Sequence, residues 1–302
     1  MAKNSNLHAA KAAKNDEFYT QITDIEKELS NYKDFFKGKV VYCNCDDARE
    51  SNFFKYFSKN FEFLGLKKLI TTGYKAEGKG VVLVYEGDKN GNHKVEDNEI
   101  VVRQLEGSGD FRSEECIEFL KEADVVVTNP PFSLFREYVR QLMDYGKKFL
   151  VIGSMNAITY KEIFPYIKNN ELWLGNQNVK EFRSPNGEIK KFGNILWYTN
   201  IQHKKRNTPL DLYKRYSNEY PKYDNYDAIE VGKVSDIPMD YDGVMGVPIT
   251  FLDKYCPEQF EIVGLMSGAK GENLTNGNDG RAKFYVGGKG VYARILIKKV
   301  FA

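Results

Sequence analysis

Short apolar runs alternate with amphipathic segments over the first 170 residues of the chain. The apolar runs predict strands at residues 40–43, 67–74, 81–86, 99–105, 123–128 and 148–153. The amphipathic segments predict helices at residues 23–35, 51–61, 113–122, 134–145 and 159–169. Apolar strands that alternate with helices are typical of a mainly parallel sheet covered on both faces. The runs at 81–86 and 99–105 flank a polar loop, which predicts a hairpin.

The pattern becomes irregular after about residue 170. Residues 183–187 form a strong turn signal, residues 203–245 are rich in Tyr, Asp, Asn and Pro, and residues 264–290 are rich in glycine. We therefore expect a flexible basic arm at residues 1–15, an α/β core at residues 16–200 and an irregular region at residues 201–302. The arm carries Lys3, Lys11 and Lys14.

Charge and hydropathy permit a nucleic-acid partner without requiring one. The net charge is +2 and the pI is near 8.1. No apolar run is long enough to cross a bilayer and no signal peptide is evident, so no membrane association and a cytoplasmic location are expected. The basic runs at 203–206 and 298–299 could contact DNA, although such runs are more often solvated surface.

No metal site is expected. The three histidines and four cysteines are scattered, which disfavours zinc. Residues 88–99 place oxygen-bearing side chains at most ligand positions of a calcium loop, but His93 occupies the position where glycine makes the sharp turn. The flanking strands favour a polar hairpin loop over a calcium site.

The Asn-Pro-Pro-Phe turn, residues 129–132, directly follows the apolar run 123–128. Two prolines fix the backbone and remove two donors, so the carbonyl of Pro130 can face outward. That carbonyl and the side-chain oxygen of Asn129 would hold both N–H groups of an exocyclic amine while its nitrogen attacks a methyl group. The acceptors bind more strongly as the amine becomes acidic, and Phe132 offers a surface for stacking a base. The alternative is a rigid turn without chemistry.

Around this turn the chain resembles the EcoRI-type DNA adenine methyltransferases over nearly its whole length. The matching stretches are DEFYT at 16–20, VVYCNCDD at 40–47, SNFFKYF at 51–57, GDFRS at 109–113, VTNPPFSLFR at 127–136 and GVMGVPITFL at 243–252. The resemblance implies the Rossmann-like fold of methyltransferases that use S-adenosylmethionine as methyl donor. It also implies a catalytic core at 16–200 and target recognition by residues 201–302. Its catalytic residues would be Asn129, Pro130, Pro131 and Phe132.

The resemblance also implies which residues hold the cofactor. Residues 18–20 would cover the methionine end of the cofactor. The loop after the first core strand would contact the amino acid and ribose of the cofactor, and an Asp followed by an apolar residue would hold its adenine. These residues are Phe18, Tyr19, Thr20, Tyr42, Asn44, Asp46, Asp47, Asp110 and Phe111.

Two features depart from the general methyltransferase pattern. No glycine-rich loop follows residues 40–43, so the side chains of Asp46 and Asp47 would have to reach the cofactor. An alternative for the two aspartates is a charge pair at a helix N-terminus, which the helix dipole favours. The carboxylate usual after the second strand is also absent from residues 69–74.

A buried adenine must leave the duplex to reach such a turn. Double-stranded DNA would be gripped by Arg183, Lys190, Lys191, Lys204, Lys205 and Arg206, and Arg281, Lys283 and Arg294 could clamp its backbone or form a solvated sheet face. The apolar stretch 194–200, with Trp197, predicts a core strand. A monomer is expected, with a cognate restriction endonuclease as a further partner. The alternatives are an enzyme acting on RNA or on cytosine N4, and a catalytically silent DNA-binding relative.

Overall fold

A computed structural model of the chain describes residues 19–45, 47–183, 188–266 and 284–300. The chain divides into two compact units. The first comprises Met1–Met155 and Gly175–Ile201, and the second comprises Asn156–Leu174 and Gln202–Ala302. The second unit therefore takes in residues 156–174, which the sequence pattern places within the core at 16–200.

A nine-stranded sheet forms the centre of the first unit. Its strands are β1 (Tyr19–Thr20), β2 (Val40–Cys43), β3 (Lys68–Gly73), β4 (Val81–Tyr85), β5 (Ile100–Gln104), β6 (Val125–Thr128), β7 (Lys148–Ser154), β8 (Trp173–Arg183, from Gly175 onwards) and β9 (Ile189–Thr199). Their order across the sheet is β1-β8-β9-β7-β6-β2-β3-β4-β5. Strand β2 pairs in parallel with both β3 and β6, and β6 pairs in parallel with β7.

This topology confirms the predicted α/β class and its Rossmann-like character. All residues of β2 and β6 are buried, which explains why both read as unbroken apolar runs. The chain passes from β2 to β3 on one side and later returns to β6 on the other side. The carboxyl ends of β2 and β6 thus form a switch point, where sheets of this kind bind ligands.

The predicted hairpin at the sheet edge is confirmed. Strand β4 pairs antiparallel with β3, and β5 pairs antiparallel with β4. Because the direction reverses twice, β5 runs the same way as β3. The loop that follows β5 therefore emerges at the same edge as the loops after β2 and β6, while the loop between β4 and β5 lies at the opposite edge.

Five α-helices of the first unit are described. They are α1 (Ile22–Leu29), α2 (Asn52–Lys59), α3 (Phe61–Leu64), α4 (Glu114–Glu122) and α5 (Phe135–Asp144). The prediction of one helix over 23–35 was wrong at its end, because α1 gives way to 3₁₀ turns (Ser30–Phe36) where Tyr32 leaves helical geometry. The prediction that Ser113 begins α4 is confirmed, since its hydroxyl accepts the N–H of Cys116 at 3.3 Å.

The second unit contains a short helix and two small sheets in its described part. Its elements are α6 (Phe164–Lys168), β10 (Ile229–Glu230), β11 (Met245–Pro248), β12 (Phe260–Met266), β13 (Tyr285–Val286), β14 (Lys289–Gly290) and β15 (Arg294–Lys299). The strand order is β10-β11-β15-β12, with β13 and β14 as a separate hairpin. The helix predicted over 159–169 begins only at Phe164, directly before Pro165, whose missing N–H suits a first helical turn.

A nearly buried ion pair joins two strands of the second unit. The guanidinium of Arg294 on β15 donates to the Glu230 carboxylate on β10 at 2.6 and 2.9 Å, and Tyr223 donates to the same carboxylate. Arg294 is thereby held within the unit, so it is neither a free clamp for DNA nor part of a solvated face. Arg281 and Lys283 lie outside the described residues, as do residues 1–18. No helix of the described ranges is both long and apolar enough to cross a bilayer.

Candidate active site

The Asn-Pro-Pro-Phe turn lies at the carboxyl end of β6. Asn129 is buried, with 9% of its surface exposed, and Pro130 is buried beside it. The carbonyl of Pro131 accepts the N–H of Leu134 at 2.9 Å and closes a short 3₁₀ turn over Phe132–Leu134. Among the described residues no N–H or O–H group donates to the carbonyl of Pro130. That carbonyl therefore keeps the acceptor capacity that the sequence predicts for it.

Phe132 is partly exposed, and an aromatic row continues from it into the first unit. Its ring lies edge-on to Phe182 of β8, with ring centroids 6.5 Å apart, and Phe182 contacts Phe192 at 5.5 Å. Phe182 is the register partner of Thr20 in the β1–β8 pair. Strand β1 is thus paired with the strand that supports Phe132.

Thr20 is fixed on its other side by helix α2. The side-chain amide of Asn52 donates to the Thr20 carbonyl at 2.7 Å, and Thr20 itself is buried. Tyr19 is described only as backbone of β1, and Phe18 lies outside the described residues. Of the three predicted residues in this stretch, Thr20 is therefore the one whose surroundings can be stated.

A glycine of β7 lets helix α5 begin directly behind the turn. A Cβ at Gly153 would lie 2.4 Å from the ring of Phe135, the first residue of α5. The ring of Phe135 also contacts Tyr198 with centroids 5.0 Å apart. Since any side chain at position 153 would displace Phe135, this glycine sets the distance between α5 and the sheet.

Asn44 joins the loop after β2 to the loop after β6. Its side-chain oxygen accepts the hydroxyl of Tyr138, and its backbone carbonyl accepts the hydroxyl of Thr128, the residue before Asn129. Asn44 is buried, and the chain turns after it because Cys45 adopts a positive φ of 66°. A side chain in that backbone region is uncommon, so the loop achieves without glycine the turn that glycine usually makes.

Tyr138 of α5 contacts two loops at the switch point. Its hydroxyl holds Asn44, and its ring packs edge-on against Phe111 in the loop after β5, with centroids 5.0 Å apart. The side chain is fully buried, and burial raises the pKa of its hydroxyl well above the usual value, so it remains a donor. The sequence analysis missed this residue, because an aromatic side chain on the apolar face of a helix has the pattern of ordinary core packing.

Asp110 is held in place by its neighbour Arg112. The guanidinium donates to the two carboxylate oxygens at 2.6 and 2.8 Å, and the backbone N–H of Arg112 adds a bond of 2.9 Å. Hydrogen bonding by Arg112 lowers the pKa of Asp110, so the carboxylate stays ionised. Arg112 also lies 3.3 Å from Glu137 of α5. Arg112 was not among the predicted site residues.

Three glycines that the sequence analysis did not single out bring the loop after β5 to the end of β3. A Cβ at Gly109, which has a φ of +83°, would lie 2.4 Å from the carbonyl oxygen of Gly73. A Cβ at Gly80 would lie 2.6 Å from the same oxygen. The close backbone approach that glycine allows therefore occurs beside Asp110, and the loop after β2 does without it.

The remaining predicted cofactor residues differ in accessibility. Tyr42 is fully buried, and its hydroxyl forms a 2.8 Å hydrogen bond with Thr72 of β3. Asp47 is exposed, and its carboxylate accepts the N–H groups of Arg49 and Glu50 at 2.9 and 2.8 Å. These bonds close a turn that precedes α2, whose N-cap is Ser51. Asp46 lies outside the described residues.

The residues predicted to grip DNA fall in two places. Arg183 on β8 and Lys191 on β9 are exposed in the first unit, where Lys190 also lies, and Lys191 forms an exposed ion pair of 3.2 Å with Glu181. The turn between them, residues 184–187, is outside the described part. In the second unit Lys204 is exposed, whereas Lys205 pairs with Asp253 and Arg206 is buried.

The loop between β4 and β5 uses its acidic side chains for its own backbone. The carboxylate of Asp88 accepts the N–H groups of Asn90, Gly91 and His93 at distances from 2.6 to 3.1 Å. These bonds are those of a tightly closed polar loop. In the described ranges no cluster of three or more His, Cys, Asp or Glu side chains is arranged to hold a metal ion.

Comparison with known families gives a match over almost the whole chain. The family model described as "Adenine-specific methyltransferase EcoRI" matches residues 6–300. The curated protein named Type II methyltransferase M.EcoRI, from Escherichia coli, is 48% identical, and the match covers 98% of this chain and 97% of the relative.

More distant relatives match over the same length. Type II methyltransferase M.MgeORF184P of Mycoplasma genitalium is 39% identical, with 97% of this chain and 98% of the relative covered. Type II methyltransferase M.MpnI of Mycoplasma pneumoniae is 38% identical with the same coverage. A solved structure from Pyrococcus horikoshii, described as that of an RNA methyltransferase, shares 15% identity over 58% of this chain and 79% of the other, with a TM-score of 0.28. A likeness that low carries no weight for fold or substrate.

Proposed function

The chain belongs to the EcoRI family of adenine-specific methyltransferases, and we propose that it methylates N6 of an adenine within a specific duplex DNA sequence. S-adenosylmethionine is the proposed methyl donor. The observation that carries the proposal is the Asn-Pro-Pro-Phe turn, which lies at the switch point of the sheet beside Asn44. We retain Asn129, Pro130, Pro131 and Phe132 as its catalytic residues.

The turn supplies acceptors for an amine and needs no separate nucleophile. The side-chain oxygen of Asn129 and the carbonyl of Pro130 would accept the two N–H groups of adenine N6. The amine nitrogen would form its new bond to the methyl carbon while the carbon–sulfur bond of the donor breaks, so that S-adenosylhomocysteine leaves as a neutral thioether. As this happens the N–H groups become more acidic and both acceptors bind more strongly. One proton then leaves the nitrogen for water. Holding the amine in line is chiefly a matter of positioning, and the hydrogen bonds through Asn44 and Thr128 fix the strand ends that provide it.

The polar groups around the turn fit the proposed donor. S-adenosylmethionine supplies a methyl group activated by its sulfonium, and it carries an ammonium, a carboxylate, ribose hydroxyls and an adenine amine. Carboxylates are present at Asp47 and at Asp110, and Arg112 keeps the latter ionised. Asp110 and Phe111 would accept and pack the cofactor's adenine, and Asn44 and Asp47 would hold its amino-acid end. The side chain of Tyr42 would support the loop from below, because it is fully buried.

Phe132 is positioned to receive the target base. A base paired in duplex DNA cannot reach a buried asparagine, so the adenine must be extruded from the helix. The partly exposed ring of Phe132, fixed on Phe182, provides a flat apolar surface for it. Arg183, Lys190 and Lys191 in the first unit, together with Lys204 in the second, remain proposed contacts to the DNA backbone. A monomeric enzyme paired with a cognate restriction endonuclease remains part of the proposal.

The test is to methylate plasmid DNA with isotope-labelled S-adenosylmethionine and to identify the modified nucleoside by mass spectrometry. The expected product is N6-methyl-2′-deoxyadenosine, confined to one short DNA sequence. N4-methylcytosine, or label found in RNA alone, would instead support the alternative substrates. Absence of any label with folded enzyme would identify a catalytically silent relative.

A further inference from the structure

A small cavity lined by charged and apolar side chains lies within the second unit, whereas the residues proposed for methyl transfer belong to the first unit. Its walls include Trp173, His203, Lys205, Arg206, Asp253 and Tyr255, with aliphatic side chains closing the rest. Its free volume is about 20 Å³. A space of that size admits one oxygen atom or one water molecule and excludes a nucleobase.

Arg206 is the charged group most deeply placed in this cavity. It is buried, with 9% of its surface exposed, and its guanidinium lies 3.8 Å from the centroid of the Trp173 ring. Its terminal nitrogens donate to two neutral oxygens, those of Gln202 at 3.1 Å and of Asn170. Its Nε–H group is buried and has no acceptor among the described residues.

The neighbouring residues hold the guanidinium in this position. Asn170 adopts a positive φ of 63°, and its side-chain oxygen accepts both the indole N–H of Trp173, at 2.9 Å, and the guanidinium of Arg206. The ring and the amide therefore fix the plane of the guanidinium from two directions. A side chain so constrained is pre-organised for a ligand that meets its free edge.

The cavity carries an excess of positive charge. Asp253 is the one carboxylate among the described residues that line it, and this carboxylate pairs with Lys205. His203 adds no charge at neutral pH, because desolvation lowers its pKa to about 4. No described carboxylate lies within ion-pair distance of Arg206. A buried guanidinium without an anion costs free energy that two neutral oxygens offset only in part.

We propose that this cavity binds one oxygen of a phosphate group, with the Nε–H of Arg206 as its principal donor. The charge, the free donor and the volume for a single oxygen atom all fit a phosphoryl oxygen. Lys205 and Asp253 line the cavity and are partly exposed, so the cavity wall is in contact with solvent at this pair. In a DNA methyltransferase the natural source is a backbone phosphodiester, and this part of the inference rests on the proposed function. Free inorganic phosphate is the other source.

The first experiment uses the wild-type protein, so that it does not depend on a variant folding. Arginine Nε–H resonances are recorded by ¹H–¹⁵N NMR during titration with inorganic phosphate and, separately, with a short duplex. One resonance is expected to shift and saturate with at least one of the two ligands, and to be absent from Arg206→Gln. A resonance assigned to Arg206 that moves with neither ligand overturns the proposal, because a water molecule then satisfies the donor.

The second experiment identifies the source of the phosphate. The salt dependence of duplex binding is compared for wild type, Arg206→Gln and the exposed control Lys233→Gln. Loss of one phosphodiester contact reduces the slope of log K against log salt by about 0.9, and this change is expected in Arg206→Gln alone. An unchanged slope with a saturable response to inorganic phosphate assigns the cavity to the free ion. Equal slope changes in both variants would overturn a specific role for Arg206.

Methyl transfer by the wild type is measured in parallel. If transfer is normal and Arg206 responds to no phosphate, the cavity inference fails and the proposed function stands. If Arg206 binds phosphate and no methyl transfer occurs, the proposed function fails alone.

Discussion

The hydroxyl of Tyr138, on the helix after the Asn-Pro-Pro-Phe turn, donates to the side-chain oxygen of Asn44, on the loop after the first core strand. The two residues are 94 positions apart, and both are buried. This bond joins the loop proposed to hold the methyl donor to the helix that follows the Asn-Pro-Pro-Phe turn. The loops after β2 and β5 thereby both contact the phenol of Tyr138.

Removing that phenolic hydroxyl should weaken cofactor binding more than chemistry. In Tyr138→Phe the ring still packs on Phe111, but the oxygen of Asn44 loses its buried donor, which costs roughly 1–3 kcal/mol. We expect KM for S-adenosylmethionine to rise about tenfold, the equivalent of about 1.4 kcal/mol, with a smaller change in kcat. Steady-state kinetics at varied cofactor concentration measures both constants.

Tyr145→Phe provides the control for this prediction, because that tyrosine is exposed at the end of the same helix. It should leave KM unchanged. An equal rise in KM in both variants, or a fall confined to kcat in Tyr138→Phe, would contradict a positioning role for the hydroxyl.

Asn129→Ala should abolish most methyl transfer and leave binding intact. The substitution removes one of the two acceptors whose hydrogen bonds strengthen in the transition state, an effect worth roughly 100- to 1000-fold in rate. Single-turnover transfer of labelled methyl to duplex DNA measures the loss, and titration with cofactor and DNA measures the two affinities. Asn129→Asp, which keeps acceptor oxygens, should retain more activity than the alanine variant. Turnover close to wild type in Asn129→Ala would exclude Asn129 from the chemistry.

Gly109→Ala should destabilise the first unit. The new Cβ would lie 2.4 Å from the carbonyl oxygen of Gly73, and the residue has a φ of +83°. Together these effects should lower the free energy of unfolding by at least about 2 kcal/mol. Gly107→Ala, in the same loop, meets nothing within 4 Å and should change it by less than about 1 kcal/mol. Chemical denaturation of the two variants makes the comparison, and similar values would show that the loop can relax.

The ion pair of Glu230 and Arg294 should matter far more to stability than an exposed pair. Glu230→Gln leaves the largely buried guanidinium of Arg294 without its anion, which costs about 3–5 kcal/mol. Glu181→Gln removes the partner of Lys191, whose side chain is 80% exposed, and should cost at most about 1 kcal/mol. Thermal unfolding of both variants is the measurement. Equal shifts in Tm would mean that the pair of Glu230 and Arg294 is more solvated than its burial indicates.

The sheet and the position of the Asn-Pro-Pro-Phe turn could be predicted from the sequence because their signals are local. Four consecutive buried residues in β6, followed at once by Asn129 and two prolines, specify a core strand and a fixed turn without knowledge of the rest of the fold. Trp197 was predicted as a core residue of β9 for the same reason, and it is fully buried. Helix α6 was predicted too long because the amphipathic spacing continues through residues that form turns before Pro165.

The supporting contacts could not be predicted because they join distant segments. Nothing near Tyr138 in the sequence distinguishes it from other apolar-face aromatics, and only the fold brings it to Asn44. Arg112 follows Asp110 by two residues, yet the sequence does not reveal whether the guanidinium of an arginine is exposed to solvent or paired with a carboxylate. The run of Lys204, Lys205 and Arg206 shows this limit most clearly, since one side chain is exposed, one is paired and one is buried.

The double reversal of the chain through β4 and β5 places the loop at 88–99 and the loop that carries Asp110 at opposite edges of the sheet. The 12-residue loop at 88–99 closes on itself through Asp88, at the edge of the sheet opposite the proposed active site. Its length and composition can therefore drift, or accept an inserted peptide or a fluorescent label, without altering the distances among Asp110, Asn44 and Asn129. In the first unit, this loop is therefore a site where insertions and labels should be tolerated.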